Sequence, residues 1–152
     1  MHGKKDLQLG YEIKTLDNMI HRMVMNISIR NGMDQVTVMH GWIIAYLYEN
    51  PDRDIYQKDI ENTFRITRST VTNILKLMEK KGYIRRISVE KDARLKKIIL
   101  TPMAAQIQRQ NFSDIHNIME KQMTRDIPPE ELACFLRVLG KMKQNLENIK
   151  EE

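Results

Sequence analysis

Between Thr67 and Thr101 the chain changes its hydrophobic period once, at Gly82, and that single switch restricts the possible folds more than any other feature. Before it, Val71, Ile74, Leu75 and Met78 recur at three- and four-residue steps, the spacing of one helical face. Thr67 stands where a side-chain cap is expected, and Gly82 where a left-handed residue closes a helix. After it, Tyr83, Ile84, Ile87 and Val89, and then Ile98, Ile99 and Leu100, are strand formers. The polar run EKDARLKK between them reads as a turn with charged shoulders. A capped helix leading into a β-hairpin is expected.

A short helix over residues 57–63 precedes this unit, separated from it by a brief turn, which is the core of a helix-turn-helix. Farther upstream, Leu9, Ile13, Leu16, Ile20, Met23 and Ile27 mark one stripe of a helix over residues 9–29, broken at Asn31-Gly32. Thr37 offers a cap for a second helix carrying Met39, Trp42, Ile43, Tyr46 and Leu47, which Asn50-Pro51-Asp52 ends. Downstream, Pro102 opens a helix at its first turn. Its apolar residues Met103, Ile107, Ile115, Ile118, Met119 and Met123 carry it to about Arg125. Ile127-Pro128-Pro129 breaks it, and a last helix from about Glu130 aligns Leu132, Phe135, Leu136, Leu139, Met142, Leu146 and Ile149. The expected class is mainly α with a small β-wing, and 152 residues suit one compact domain or a small module with a helical scaffold.

Charge narrows the function. The net charge is +5, yet residues 53–100 hold 13 Lys or Arg against 6 Asp or Glu, while the remainder has 12 against 14. The middle third carries the whole positive excess, as expected where phosphates are neutralised. At 41% apolar and 30% charged residues, with no apolar run of membrane-spanning length and no signal-peptide core in MHGKKDLQLG, a soluble cytoplasmic protein is expected. Cys134 is the only cysteine, so no intrachain disulfide and no thiolate cluster form; a buried, inert thiol is expected. His2, His21, His40 and His116 show no metal-ligand spacing. No P-loop or Gly-x-Ser-x-Gly elbow is present, so neither enzyme activity nor a cofactor is expected.

Reading DNA sequence requires an element the width of one helix in the major groove, where base edges present a distinguishing donor and acceptor code. Arg68, Ser69, Thr70, Thr72, Asn73 and Lys76 give the helix after Thr67 such a surface. Arg68 suits a guanine edge and Asn73 an adenine edge; the hydroxyls suit bases or phosphates, and Lys76 the backbone. In the hairpin turn, Arg94, flanked by Lys91, Lys96 and Lys97, is a candidate for the adjacent minor groove. Asp92 has the wrong sign for phosphate and is expected to brace Arg94 or a neighbouring basic side chain.

The run ITRSTVTNILKLMEKKGYIRR followed by DARLKKIILT resembles the MarR family of bacterial regulators. Its counterparts here are Met78-Glu79-Lys80-Lys81-Gly82, Asp92-Ala93-Arg94 and Leu100-Thr101. The resemblance implies a winged helix-turn-helix over residues 35–101, an N-terminal dimerisation helix over 1–34 and C-terminal dimerisation helices over 102–152. It implies a homodimer on a palindromic double-stranded operator, and a repressor released by a small aromatic or amphipathic effector, with no role at a membrane. The alternative is a winged-helix nucleic-acid-binding or interaction module without ligand sensing. A short head cannot bury both ends of the long flanking helices, so their stripes are expected to form an intersubunit core. The 11 methionines suit an adaptable ligand pocket or ordinary core equally well.

Two departures from the family pattern stand out. Phe64-Arg65-Ile66 replaces a turn that often holds glycine, making Arg65 a candidate phosphate contact. His40 follows Thr37 at the place where the family often has glutamine. Cysteine sensors in the family generally carry the thiol near the first helices, unlike Cys134.

Overall fold

A computed structural model describes residues 7–34, 40–89 and 91–149. The expected cap Thr37 and the apolar Met39, like His2, lie outside these residues. In chain order the elements are α1 (Gln8–Arg30), α2 (Gly41–Glu49), α3 (Gln57–Phe64), α4 (Arg68–Lys80), β1 (Ile84–Val89), β2 (Asp92–Leu100), α5 (Pro102–Asn117), a π-helical turn (Ile118–Gln122) and α6 (Pro129–Glu147). Helices dominate and one two-stranded antiparallel sheet forms the wing, as the sequence indicates. Among the described residues no helix is long and apolar enough to cross a membrane. The chain divides into two compact units, one ending at Ile115 and one beginning at His116.

The core of the first unit forms where the helix-turn-helix meets the wing. Val71, Ile74, Leu75 and Met78, the face expected from the α4 spacing, are all buried. They pack with Ile43, Ile44 and Leu47 of α2, Ile60 of α3, and Tyr83, Ile84 and Ile98 of the sheet. Truncating one such aliphatic side chain to alanine costs about 2–5 kcal/mol, so the head's stability rests on this cluster. Tyr46 and Phe64 meet edge to face at 5.7 Å and join α2 to α3 at its margin.

Helix ends follow local chemistry. α4 closes with Tyr83 N–H donating to the Met78 carbonyl (3.0 Å) and Gly82 N–H donating to the Glu79 carbonyl (3.1 Å). That pair of bonds demands a left-handed residue at Gly82, whose φ is +81°. α1 ends in the same way at Gly32, with φ +101°. α3 repeats the outer bond, Ile66 N–H to the Glu61 carbonyl at 3.2 Å, but the left-handed position is Arg65, with φ 54°. The left-handed position is thus kept without glycine, although Arg65 N–H also turns to the Glu61 carbonyl, in place of the inner bond seen at Gly82.

Three expectations need correction. The hairpin turn is shorter than EKDARLKK: β2 already begins at Asp92, because Val89 pairs with Asp92 and Ser88 with Lys96. Three residues, 93–95, are thus held out of the ladder as a bulge in β2, so Arg94 lies in a strand and not in a turn. The helix from Pro102 does not run unbroken to Arg125. It leaves α-helical geometry after Asn117, and Met123 N–H reaches back five residues to the Ile118 carbonyl at 2.7 Å. Cys134 is exposed, within 3.4 Å of the Arg137 guanidinium, and not buried, because α6 holds no buried residue in this chain.

The flanking helices are unevenly covered. In α1 only Val24, Ile27 and Ser28 are buried, and Leu9, Ile13 and Leu16 of the expected stripe are exposed. The buried positions of α5 are Ala104, Gln108 and Asn111, while its Met103 is exposed. Polar bonds join these helices: Asn31 donates to Asn111 Oδ1 (2.7 Å) and to Asp114 (3.1 Å), and Asn111 Nδ2 donates to Ser28 Oγ (3.1 Å). The second unit exposes Phe135, Leu136, Leu146 and Ile149.

Candidate nucleic-acid interface

Thr67 occupies an extended conformation at the head of α4 and caps it, its Oγ1 accepting the Thr70 N–H at 3.4 Å and donating to Thr70 Oγ1 at 2.8 Å. This first turn presents Arg68, Ser69 and Thr70 to solvent, with Asn73 and Lys76 exposed one and two turns on. Burial of Val71, Ile74, Leu75 and Met78 turns the polar side of the helix outward. Thr67, Arg68, Ser69, Thr72 and Asn73 line one shallow depression.

Thr72 differs from the other candidates. It is half-buried; its Oγ1 donates to the Arg68 carbonyl at 2.8 Å and accepts from Gln57 Nε2 at 2.9 Å. The hydroxyl proton is therefore spent inside the helix-turn-helix, and Thr72 serves the frame of the surface more than its exposed face. Gln57, on the first turn of α3, also reaches the Arg68 carbonyl at 3.3 Å. Sequence reasoning missed Gln57: a polar residue at a helix start has no periodic signal, and its partners lie 11 and 15 residues away.

The wing reaches the same surface from the other side. Arg94 and Lys96 share a groove with Gln57, Arg68 and Thr72, so Arg68 lines both the groove and the depression on α4. Lys58, Arg68, Arg86, Arg94 and Lys96 line this groove with a single acid, Glu61. Arg65, Thr70 and Lys76 line neither feature, and Asp92 lies on a separate depression with Tyr56, Val89 and Leu95. Asp92 Oδ1 accepts the Arg94 backbone N–H at 2.9 Å, so the expected brace acts on the main chain.

Two ion pairs hold the wing. Arg86 grips Glu79 at the end of α4 through Nη2 (3.0 Å) and Nε (3.2 Å), and its backbone N–H adds a third bond at 3.2 Å. Those hydrogen bonds, with the guanidinium charge, hold the Glu79 carboxyl below the usual carboxylate range. Lys97 pairs with Asp54 at 2.6 Å, and that bond raises the Lys97 ammonium above its ordinary value. Ile98 N–H donates to the Ile55 carbonyl at 2.8 Å, fastening β2 to the segment before α3. Successive residues of β2 thus serve two ends: Lys96 lines the groove, and Lys97 ties the strand to the body. Among the described residues no group of three or more His, Cys, Asp or Glu side chains gathers as a metal site.

The architecture of α3, α4 and the wing is similar to that of known proteins. The family model described as "MarR family" matches residues 34–95. The transcription regulator MarR from Oenococcus oeni PSU-1 superposes with a TM-score of 0.77 at 27% identity, covering 90% of this chain and 99% of that one. Over its winged helix-turn-helix this chain is similar to the MarR family.

A curated relative is the uncharacterized HTH-type transcriptional regulator YdgJ of Bacillus subtilis (strain 168), 28% identical over 96 residues, which are 63% of this chain. The match spans 58% of that relative's length. The MarR fold also agrees with S. aureus MepR, solved in complex with DNA, at a TM-score of 0.76 and 24% identity over 90% of this chain and 96% of that one. In MarR terms, α3 and α4 are the helix-turn-helix and β1 with β2 the wing.

Proposed function

We propose that the chain is a transcriptional regulator that binds double-stranded DNA, with α4 in the major groove and Arg94 of the wing at the neighbouring minor groove. The observation that carries this reading is the position of Arg68, shared between the exposed polar face of α4 and the groove that Arg94 and Lys96 line. A helix of that polarity matches base edges, and clustered cations at its flank match phosphate. Arg65, Ser69, Thr70, Asn73 and Lys76 complete the contact surface, with Thr67 and Thr72 holding its shape and Asp92 holding the wing.

The active form is a homodimer on a palindromic operator. Exposed Leu9, Ile13 and Leu16 on α1 and Phe135, Leu136 and Leu146 on α6 support it, since apolar faces of this size seek cover. Two-fold pairing sets the recognition helices about 34–36 Å apart, one turn of B-DNA. Similarity to the MarR family supports a repressor relieved by a small aromatic or amphipathic effector. An apolar cleft of suitable size lies against the base of the wing, lined by Leu47, Ile55, Ile99 and Leu100.

Selection of bound duplexes from a random pool, followed by titration at moderate salt, tests the reading. An inverted repeat bound far more tightly than random duplex is expected; equal affinity for both contradicts it.

A further inference from the structure

The least expected feature of the interface is the bond pattern of Gln57, because one amide nitrogen spans both helices of the helix-turn-helix. From the first turn of α3, Gln57 Nε2 donates to Thr72 Oγ1 (2.9 Å) and to the Arg68 carbonyl (3.3 Å). Thr72 Oγ1 in turn donates to the same Arg68 carbonyl (2.8 Å). The three groups close a ring on the main chain of Arg68, the residue that lines both the α4 depression and the wing groove. The rest of the α3–α4 packing is apolar, through Ile60, Val71 and Leu75. Apolar packing sets the distance between helices but tolerates small rotations, whereas donor and acceptor geometry is directional.

We infer that Gln57 is a specificity-positioning residue: acting through Thr72 and the Arg68 carbonyl, it fixes the rotation of the first turn of α4 and so the base that Arg68 reads. Bidentate reading of a guanine edge discriminates only while the guanidinium plane meets the base edge squarely. Loosening its main chain lets Arg68 fall back on phosphate, which carries no sequence information. A residue that touches no base edge thereby controls which base is chosen. This inference rests on the reading of α4 as the DNA-reading helix.

The test compares base-preference profiles of the full chain and its variants, obtained by selection from random duplexes. Arg68→Ala first identifies the half-site position that Arg68 reads. Gln57→Met keeps the side-chain length and removes the donor; Thr72→Val removes the hydroxyl and keeps the branching. Each single variant is expected to lower preference at the Arg68 position three- to tenfold while preferences elsewhere in the half-site hold. Because both act through one ring, the double variant loses no more than the worse single one. Thr72→Ser, which restores the hydroxyl, recovers the preference. If Gln57→Met does not fold, the Thr72→Val and Thr72→Ser pair carries the same comparison. A loss spread evenly over all positions, additive losses in the double variant, or a Thr72→Ser no better than Thr72→Val each overturns the inference. A wild-type chain that selects no sequence overturns it together with the reading beneath it, whereas a selective wild type with unaltered variants overturns the inference alone.

Discussion

Asp92 Oδ1 accepts the backbone N–H of Arg94 at 2.9 Å, and the carboxylate thereby pins the main chain of a three-residue bulge whose central side chain is an exposed arginine. An acid in a basic wing thus organises the backbone without cancelling the charge. Arg94→Ala should weaken DNA binding and lower the slope of log affinity against log salt by about 0.9 for each phosphate that Arg94 neutralises. Asp92→Asn keeps the accepting oxygen and should bind more tightly than Asp92→Ala. Anisotropy titrations across a salt series measure both effects. Equal affinities for the two Asp92 variants would contradict the main-chain brace.

Gly82 closes α4 at φ +81°, and a Cβ there would meet nothing within 4 Å. Its substitution therefore isolates backbone strain from crowding. Gly82→Ala should lower unfolding stability by about 1–2 kcal/mol, the left-handed penalty for a residue with a Cβ. Urea denaturation gives the value, with an unchanged slope expected.

The Arg86 fork on Glu79 predicts a pH dependence with a defined sign. Glu79 has a depressed pKa in the folded chain, so its stabilisation is present above the unfolded value of about 4.3 and is lost as pH falls through the folded value. Both partners are partly solvated, which limits the effect to about 0.2–1 kcal/mol. Glu79→Gln should be less stable than the parent at neutral pH, and the gap should close in the acid range below about pH 4. A gap that persists at low pH would place the effect in packing.

The apolar faces of α1 and α6 predict self-association. Light scattering at micromolar concentration should give twice the chain mass, and Leu136→Glu, at a position 60% exposed in the single chain, should shift it toward the monomer without unfolding the head. A monomeric parent would refute the dimer.

The head is legible in the sequence because its signals are local. The α4 face repeats every three to four residues, Thr67 and Gly82 punctuate it, and all four inward positions are buried. The wing is half legible: its strands carry β-formers, but polar DARLKK gives no sign that pairing resumes at Asp92 around a bulge. Cys134 is exposed against expectation because an apolar stripe shows that a helix has a face to cover, not that its own chain covers it. For the same reason the buried side of α5, Ala104, Gln108 and Asn111, carries no apolar periodicity. Gln57 is invisible in the sequence because its role arises only when two helices cross.

DNA reading by α4 is tested most directly by Arg68→Ala, measured on the selected duplex and on random duplex at the same moderate salt. The expected result is a larger loss on the selected duplex, with preference relaxed at one position of each half-site and a penalty of about 1–3 kcal/mol there. Equal loss on both duplexes would reduce Arg68 to a phosphate contact and contradict a reading role for the helix.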